Sequence, residues 1–137
     1  MIDTRRTSFT RCTRVLVVDD DDDLRELLRY TLELDGYDVI EASDGAAALL
    51  EIDRAAPDLA LVDIDLPIIS GAEVLEELIR RADRGHAFPV VAMSGSVSSS
   101  ASPVEWFLPK PMDLDLLLAV VGDFTGRRAA SPLWIGH

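Results

Sequence analysis

The sequence predicts one α/β domain, a five-stranded and doubly wound parallel sheet with helices on both faces. Short, continuous apolar runs alternate along the chain with segments whose apolar residues recur at helical spacing. Strands that alternate with helices in this way indicate βαβ units with right-handed crossovers. The length of 137 residues suits a single domain, and a hydrophobic content of 48% is enough to build its core.

Five segments are predicted to be the strands of this sheet; four are apolar runs, and the second alternates between apolar and polar residues. Runs with few polar interruptions are typical of strands that are buried on both faces. The first and third runs end at aspartates, and the fifth reaches Pro109, which a sheet tolerates only in an edge strand. The predicted strands span residues 15–18, 37–42, 59–62, 90–93 and 106–108.

Helical spacing fills the segments between the strands. One of the aspartates at 21–23 is expected to cap the first helix, and Ser43 or Asp44 the second, at residues 46–52. The last helix is predicted at residues 114–121, with Gly122 as its stop. The apolar face of the first helix is formed by Leu24, Leu27, Leu28, Thr31 and Leu32.

Two stretches complete the predicted order of elements. A third helix is expected after Gly71, with apolar residues at positions 74, 75, 78 and 79. Residues 94–102 contain six serines where a fourth helix is expected, and serine is a poor helix former. The fourth helix is therefore predicted to be short or missing.

The charge distribution restricts the classes of partner. The formal net charge is −12, and residues 15–122 alone carry −16. A body this acidic repels phosphate backbones, so direct nucleic-acid binding is not expected, whereas a divalent cation or a basic protein would fit. Solubility alone explains most of these carboxylates. No apolar stretch is long enough to span a membrane, no secretory signal is visible, and Cys12 has no cysteine partner, so a cytoplasmic location is expected.

Reactive side chains follow the carboxyl ends of the predicted strands, where open parallel sheets bind their ligands. Asp19 and Asp20 follow the first strand and Asp63 the third, while Ser94 and Lys110 follow the fourth and fifth. Carboxylates that converge on one edge repel each other unless a cation is present, and an all-oxygen site favours Mg²⁺. A hydroxyl and an ammonium facing the same point would hold phosphoryl oxygens. The pattern predicts a metal-assisted phosphoryl site, where a carboxylate could itself be the nucleophile.

Lys110 supports this interpretation independently. It is the single lysine in the chain, whereas the other 12 basic residues are arginines. A compact ammonium suits a site that needs a point charge rather than a planar fork. Chance is the competing explanation. Lys110 also lies between Pro109 and Pro111, and a cis bond at Pro111 would aim the lysine back at the strand ends.

Four motifs, in order, resemble the receiver domain of response regulators. They are the run from Val15 through the aspartates at 19–23, the segment 57–67 around Asp63 with Gly71 following it, residues 89–94, and the Lys110–Pro111 pair. The resemblance covers about residues 14–122. It implies the 2-1-3-4-5 strand order, which places the fifth strand at an edge.

The resemblance also implies roles for individual residues. Asp63 would accept the phosphoryl group from a sensor histidine kinase or a histidine phosphotransfer protein. Mg²⁺ would be bound by Asp20 directly, by Asp19 through water, by Asp63 and by the backbone carbonyl of Asp65. Ser94 and Lys110 would bind phosphoryl oxygens, and Phe107 would be the aromatic whose rotamer reports phosphorylation. The side chain of Asp65 has an alternative role, tuning the access of water, and Phe107 could equally be a packing residue.

The predicted function is that of a stand-alone receiver in two-component signalling, a phosphoacceptor switch rather than an enzyme. Residues 1–13 are expected to be a flexible basic tail, 14–122 the receiver domain, and 123–137 a tail without an effector domain. Output would pass through contact with a downstream protein or through phosphoryl shuttling within a relay. A homodimer is among the expected partners, and no membrane partner is expected. Two rivals stay open: a receiver-like interaction module that is never phosphorylated, and a haloacid dehalogenase-like phosphatase using Asp63 and Asp65.

Overall fold

The computed structural model describes residues 12–64, 88–95 and 106–126, together with Glu73, Glu76, Glu77 and Arg80. Within these ranges the strands are β1 (Arg14–Val18), β2 (Asp38–Ala42), β3 (Leu59–Asp63), β4 (Val90–Ser94) and β5 (Trp106–Pro109). The helices are α1 (Asp22–Leu34), α2 (Gly45–Ala55) and α3 (Leu114–Thr125). The backbone is also helical at Glu73, Glu76, Glu77 and Arg80.

The five strands form one parallel sheet in the order β2-β1-β3-β4-β5, which confirms the predicted fold class. β1 and β3 lie side by side at the centre, and each residue from Val15 to Val18 pairs with one from Leu59 to Val62. β5 is an edge strand and ends at Pro109, as the proline predicts. Because all strands run the same way, their carboxyl ends meet at one edge.

Alternate residues of each central strand enter separate cores on the two faces of the sheet. Val15 and Val17 pack with residues of α1 and α3, whereas Leu16 and Val18 pack with residues of α2. All four are fully buried, so the run carries no polar face. This is why the strand is apolar at successive positions instead of alternating.

Aspartates cap all three helices described. Asp21 accepts hydrogen bonds from the amides of Asp23 and Leu24, and Asp44 accepts one from Ala47. Both caps confirm the predicted helix starts. Asp113 caps α3 in the same manner. Each cap fixes the point at which the chain turns from a strand end into a helix.

Two local predictions were wrong. Gly122 does not stop the last helix, which continues to Thr125 and ends at Gly126 with a left-handed backbone, because the preceding Val120 and Val121 are packed in the core. Leu27 is 44% exposed although it belongs to the predicted apolar face of α1. Leu28 and Leu32 form the centre of that face, and a turn of 100° per residue places Leu27 at its margin.

Other predictions concern residues outside the described ranges. The short or missing fourth helix falls within 96–105, and the apolar positions of the helix after Gly71 fall at 74, 75, 78 and 79. The tails at 1–11 and 127–137 lie outside as well. Among the helices described, none has the length and apolar content needed to cross a bilayer.

Candidate functional site

The end of β1 delivers two aspartates to the carboxyl edge of the sheet. Asp19 is fully buried, whereas Asp20 is exposed. The amide of Asp19 donates to the carbonyl of Ala42 at 3.1 Å, and its carboxylate Oδ1 accepts from the amide of Asp21 at 2.9 Å. These contacts hold the buried carboxylate at the start of the loop that enters α1.

The ends of β3 and β4 place two further polar side chains beside it. Asp63 is the last residue of β3 and is 3% exposed, and Ser94 ends β4 at 4%. Asp63 pairs in register with Met93, and the amide of Ile64 donates to the Met93 carbonyl at 3.1 Å. Both polar groups are therefore fixed by the sheet rather than by a loop.

Lys110 brings the strand ends together. Its backbone amide donates to the carbonyl of Ser94 at 2.8 Å, and the following bond to Pro111 is cis, as predicted. Its ammonium Nζ lies 3.0 Å from Asp19 Oδ2 and 3.1 Å from Asp63 Oδ2. The lysine thus bridges the two buried carboxylates.

The electrostatics of this trio follow from burial. Loss of water raises the pKa of Asp19, and this outweighs the opposing effect of the Asp21 amide and of Lys110. Burial alone would lower the pKa of Lys110, but the hydrogen bonds and charges of Asp19 and Asp63 raise it overall. The pocket therefore favours the ammonium form of Lys110, and an added positive charge would favour the carboxylate form of Asp19.

The residues present fit a magnesium ion. Oxygens of Asp19, Asp20 and Asp63 lie within 4.8 Å of one another, which is the acidic triad expected of a metal-binding receiver site. Asp19 Oδ2 is buried and its nearest cation within the described ranges is Lys110 at 3.0 Å, so it keeps electron pairs to offer a metal ion. Because every donor is a carboxylate oxygen, the set suits Mg²⁺ rather than a softer metal.

The structure leaves some predicted site residues less defined. Asp65, predicted to ligate through its backbone carbonyl, lies outside the described ranges. Phe107 is half-buried on β5 and pairs in register with Ala92, so its position in the sheet is known while its role as a switch stays a prediction.

Sequence reasoning missed one residue at this edge. Arg25 on α1 donates from Nη1 to the backbone carbonyl of Asp19 at 2.7 Å and from Nε to Glu41 Oε1 at 3.0 Å. Its spacing from Asp22 signals an i, i+3 ion pair, which is present. No sequence pattern indicates that the same guanidinium also reaches Asp19 and a neighbouring strand.

Fold and pocket together define a class of protein: a doubly wound α/β domain with an acidic, lysine-bridged pocket at its carboxyl edge. Residues 15–122 match the response regulator receiver domain family, and the chain belongs to that family. Its members are switches of two-component signal transduction that accept a phosphoryl group, rather than enzymes in the usual sense.

Curated relatives are longer than this chain. Response regulator MprA of Mycobacterium leprae is 37% identical over 112 residues, which cover 77% of this chain and 48% of that protein. The CAI-1 autoinducer sensor kinase/phosphatase CqsS of Vibrio cholerae is 34% identical over 112 residues, or 77% of this chain and 16% of that protein. The chain thus spans less than half the length of these two relatives.

Solved structures share the whole fold. The chemotaxis response regulator CheY4 of Vibrio cholerae superposes with a TM-score of 0.75 at 26% identity, covering 83% of this chain and 99% of that one. The response regulator TrrA of Thermotoga maritima, in complex with Mg²⁺-BeF, gives a TM-score of 0.74 at 29% identity, covering 82% and 98%.

Proposed function

We propose that this protein accepts a phosphoryl group on Asp63 in a Mg²⁺-dependent reaction and passes the signal on by protein–protein contact. The observation that carries the proposal is the Lys110 ammonium, within 3.1 Å of both Asp19 and Asp63 at the acidic edge. A positive charge held between buried carboxylates is also positioned to bind the oxygens of a phosphoryl group attached to one of them.

The chemistry assigned to Asp63 is an in-line displacement. A carboxylate oxygen attacks the phosphorus of a phosphohistidine, the P–O bond forms, and the P–N bond breaks with its electron pair returning to the histidine. Bound Mg²⁺ would neutralise charge on the transferred oxygens. Lys110 binds one of those oxygens and stabilises the negative charge as it moves from the donor to Asp63.

The remaining site residues support this reaction. Asp19 and Asp20 would hold the metal with Asp63, and the carbonyl of Asp65 would complete the protein ligands. Ser94, buried at the end of β4, would donate a hydrogen bond from its hydroxyl group to a phosphoryl oxygen. Phe107 on the adjacent edge strand would report the change by altering its rotamer.

The donor in this proposal is a sensor histidine kinase or a histidine phosphotransfer protein. The resemblance to TrrA, solved with Mg²⁺-BeF, supports the metal, and CqsS is by its name a sensor kinase/phosphatase. The downstream partner is a protein, since the acidity of residues 15–122 argues against nucleic acid. Three expectations stay predictions: that the receiver stands alone, that it forms a homodimer and that it is cytoplasmic.

The test is intact-mass spectrometry after incubation with a small phosphoryl donor and Mg²⁺. We expect a gain of one phosphoryl group, which Asp63→Asn and chelation of the metal each abolish. Asp53→Asn is the matched control, because Asp53 is an exposed carboxylate on α2 away from the sheet edge. A gain that persists in Asp63→Asn refutes the assignment of the acceptor.

The same experiment separates the rivals. A wild-type chain that gains no mass, although it is folded and binds Mg²⁺, would be a receiver-like module that is not phosphorylated. Continuous turnover of a simple phosphate ester would indicate a phosphatase. The site favours the phosphorylated switch over the inert module, because the acidic triad and the bridging lysine are present together.

A further inference from the structure

Arg25 joins the acidic loop that follows β1 to α1 and to β2. Nη1 donates to the carbonyl of Asp19, Nη2 to Asp22 Oδ1 at 2.7 Å on α1, and Nε to Glu41 Oε1 on β2. The side chain is 15% exposed, so its charge is largely removed from water. Glu41 also lies 3.4 Å from Arg29, which holds its carboxylate in place.

These contacts leave the backbone of Asp19 little freedom. Its amide is bonded to Ala42 on β2, its carbonyl to Arg25, and its carboxylate Oδ1 to the Asp21 amide. Only Oδ2 is left to face Lys110 and the cation site. If Arg25 released the carbonyl, the peptide between Asp19 and Asp20 could rotate and carry both carboxylates with it.

The chemistry requires a guanidinium. A planar fork can donate in three fixed directions at once, whereas an ammonium offers a compact charge without that geometry. Groups that orient metal ligands through hydrogen bonds affect metal affinity without touching the metal.

We propose that Arg25 is a positioning residue for the phosphoryl-transfer site, which sets the orientation of Asp19 and Asp20 by clamping the Asp19 carbonyl to Glu41 and Asp22. The inference rests on the proposed function for its effect on the reaction. Its structural part, the restraint on the loop, is independent of metal and phosphoryl group.

The test compares Arg25→Gln and Arg25→Lys with Arg54→Gln as the matched control. Arg54 forms a similar i, i+3 ion pair with Glu51 but is exposed on α2 and makes no contact with the pocket. Amide hydrogen exchange is measured by NMR in metal-free protein at Asp19 and Asp21, with Ala47 as the reference amide in a separate helix cap. Mg²⁺ midpoints and phosphorylation rates are then measured on the same variants.

Both Arg25 variants should accelerate exchange at Asp19 and Asp21 by about tenfold, the size expected when a hydrogen bond from a charged donor is lost. Exchange at Ala47 should change little, and Arg54→Gln should match the wild type at all three amides. The Mg²⁺ midpoint should rise about tenfold in the Arg25 variants. Saturating Mg²⁺ should restore most of the phosphorylation rate, because the reacting groups are intact.

The outcomes separate local restraint from general stability. Unchanged exchange at Asp21 in Arg25→Gln, or acceleration equal to that at Ala47, would overturn the positioning role. Full rescue by Arg25→Lys would overturn the argument for a planar fork. A wild-type chain that shows no Mg²⁺ response would overturn the proposed function and the catalytic part of this inference, while accelerated exchange at Asp21 would still establish the clamp.

Discussion

Replacing Lys110 with methionine tests the electrostatic account of the pocket. The change keeps an unbranched side chain of similar length but removes the charge that lies 3.0 Å from Asp19 and 3.1 Å from Asp63. Two buried carboxylates then face each other without a bridging cation. We expect the metal-free protein to lose stability and to become more dependent on Mg²⁺.

The magnitude follows from the geometry. At these distances and an effective dielectric constant of about 20, each contact is worth roughly 5 kcal/mol before desolvation is counted. The methionine variant avoids the cost of desolvating the ammonium on folding, and that cost is limited because the lysine side chain is 23% exposed. Measured losses on breaking one partner of a buried pair are about 3–5 kcal/mol. We therefore expect a loss of about 3 kcal/mol in the free energy of unfolding.

The assay is urea denaturation with a chelator and again with excess Mg²⁺. Lys110→Met should gain more stability from Mg²⁺ than the wild type does, because no ammonium repels the cation, and its Mg²⁺ affinity should rise about tenfold, which is 1.4 kcal/mol. Phosphorylation should nevertheless be slower, since the group that binds the transferred oxygen is gone.

A double-mutant cycle tests whether the lost stability comes from repulsion between the carboxylates of Asp19 and Asp63. Adding Asp63→Asn to Lys110→Met removes one of the two facing charges and should recover part of the lost stability. Arg54→Met, which removes an exposed cation, should cost less than about 0.5 kcal/mol. A loss below about 1 kcal/mol for Lys110→Met in chelator, or an equal gain from Mg²⁺ in variant and wild type, would refute the reasoning.

Three further changes have defined outcomes. Ala56 has a left-handed backbone with φ of 49° at the end of α2, so Ala56→Gly should add about 0.5–1 kcal/mol to the unfolding free energy. Ala55→Gly, at the last residue of the helix, should bring no such gain, because no left-handed backbone is relieved there. Asp19→Asn should stabilise the metal-free protein at neutral pH, because burial raises the pKa of this carboxyl. The folded wild type binds the proton more readily than the unfolded chain does. The stability advantage of the variant should therefore shrink as pH falls through the raised pKa. Asp20→Asn should leave metal-free stability nearly unchanged, since Asp20 is exposed, yet weaken Mg²⁺ binding in a fluorescence or calorimetric titration. Equal stability effects of the two asparagine variants in denaturation curves would contradict this division.

Much of the fold could be predicted because strands that are buried on both faces have apolar residues at successive positions in the sequence. The residues of β1 and β3 are apolar at successive positions, and this pattern occurs where helices cover both faces. Pro109 restricted β5 to an edge for a covalent reason, the missing amide hydrogen. The end of α3 was less predictable, since core packing of Val120 and Val121 outweighs the weak helix propensity of Gly122.

The candidate site also contains residues whose position was predictable from the sequence and one whose position was not. Asp19, Asp63 and Lys110 were predictable because parallel strands deliver their carboxyl ends to one edge, so position along the chain determines position in space. Arg25 was not predictable. Its two decisive acceptors are a backbone carbonyl six residues away and Glu41, sixteen residues away on another strand. Such a contact depends on how α1 is set against β2, which periodicity does not specify.

The three carboxylates of the pocket differ in ways that assign them different tasks. Asp19 and Asp63 are buried, anchored to the sheet and bridged by Lys110, so their geometry exists before any ligand arrives. Asp20 is exposed on the loop and retains its hydration. A magnesium ion that keeps several of its waters would suit a set of one exposed and two buried carboxylates. Asp19, Asp20 and Asp63 would hold the ion together, which would place its charge beside Asp63, the nucleophile of the proposed reaction.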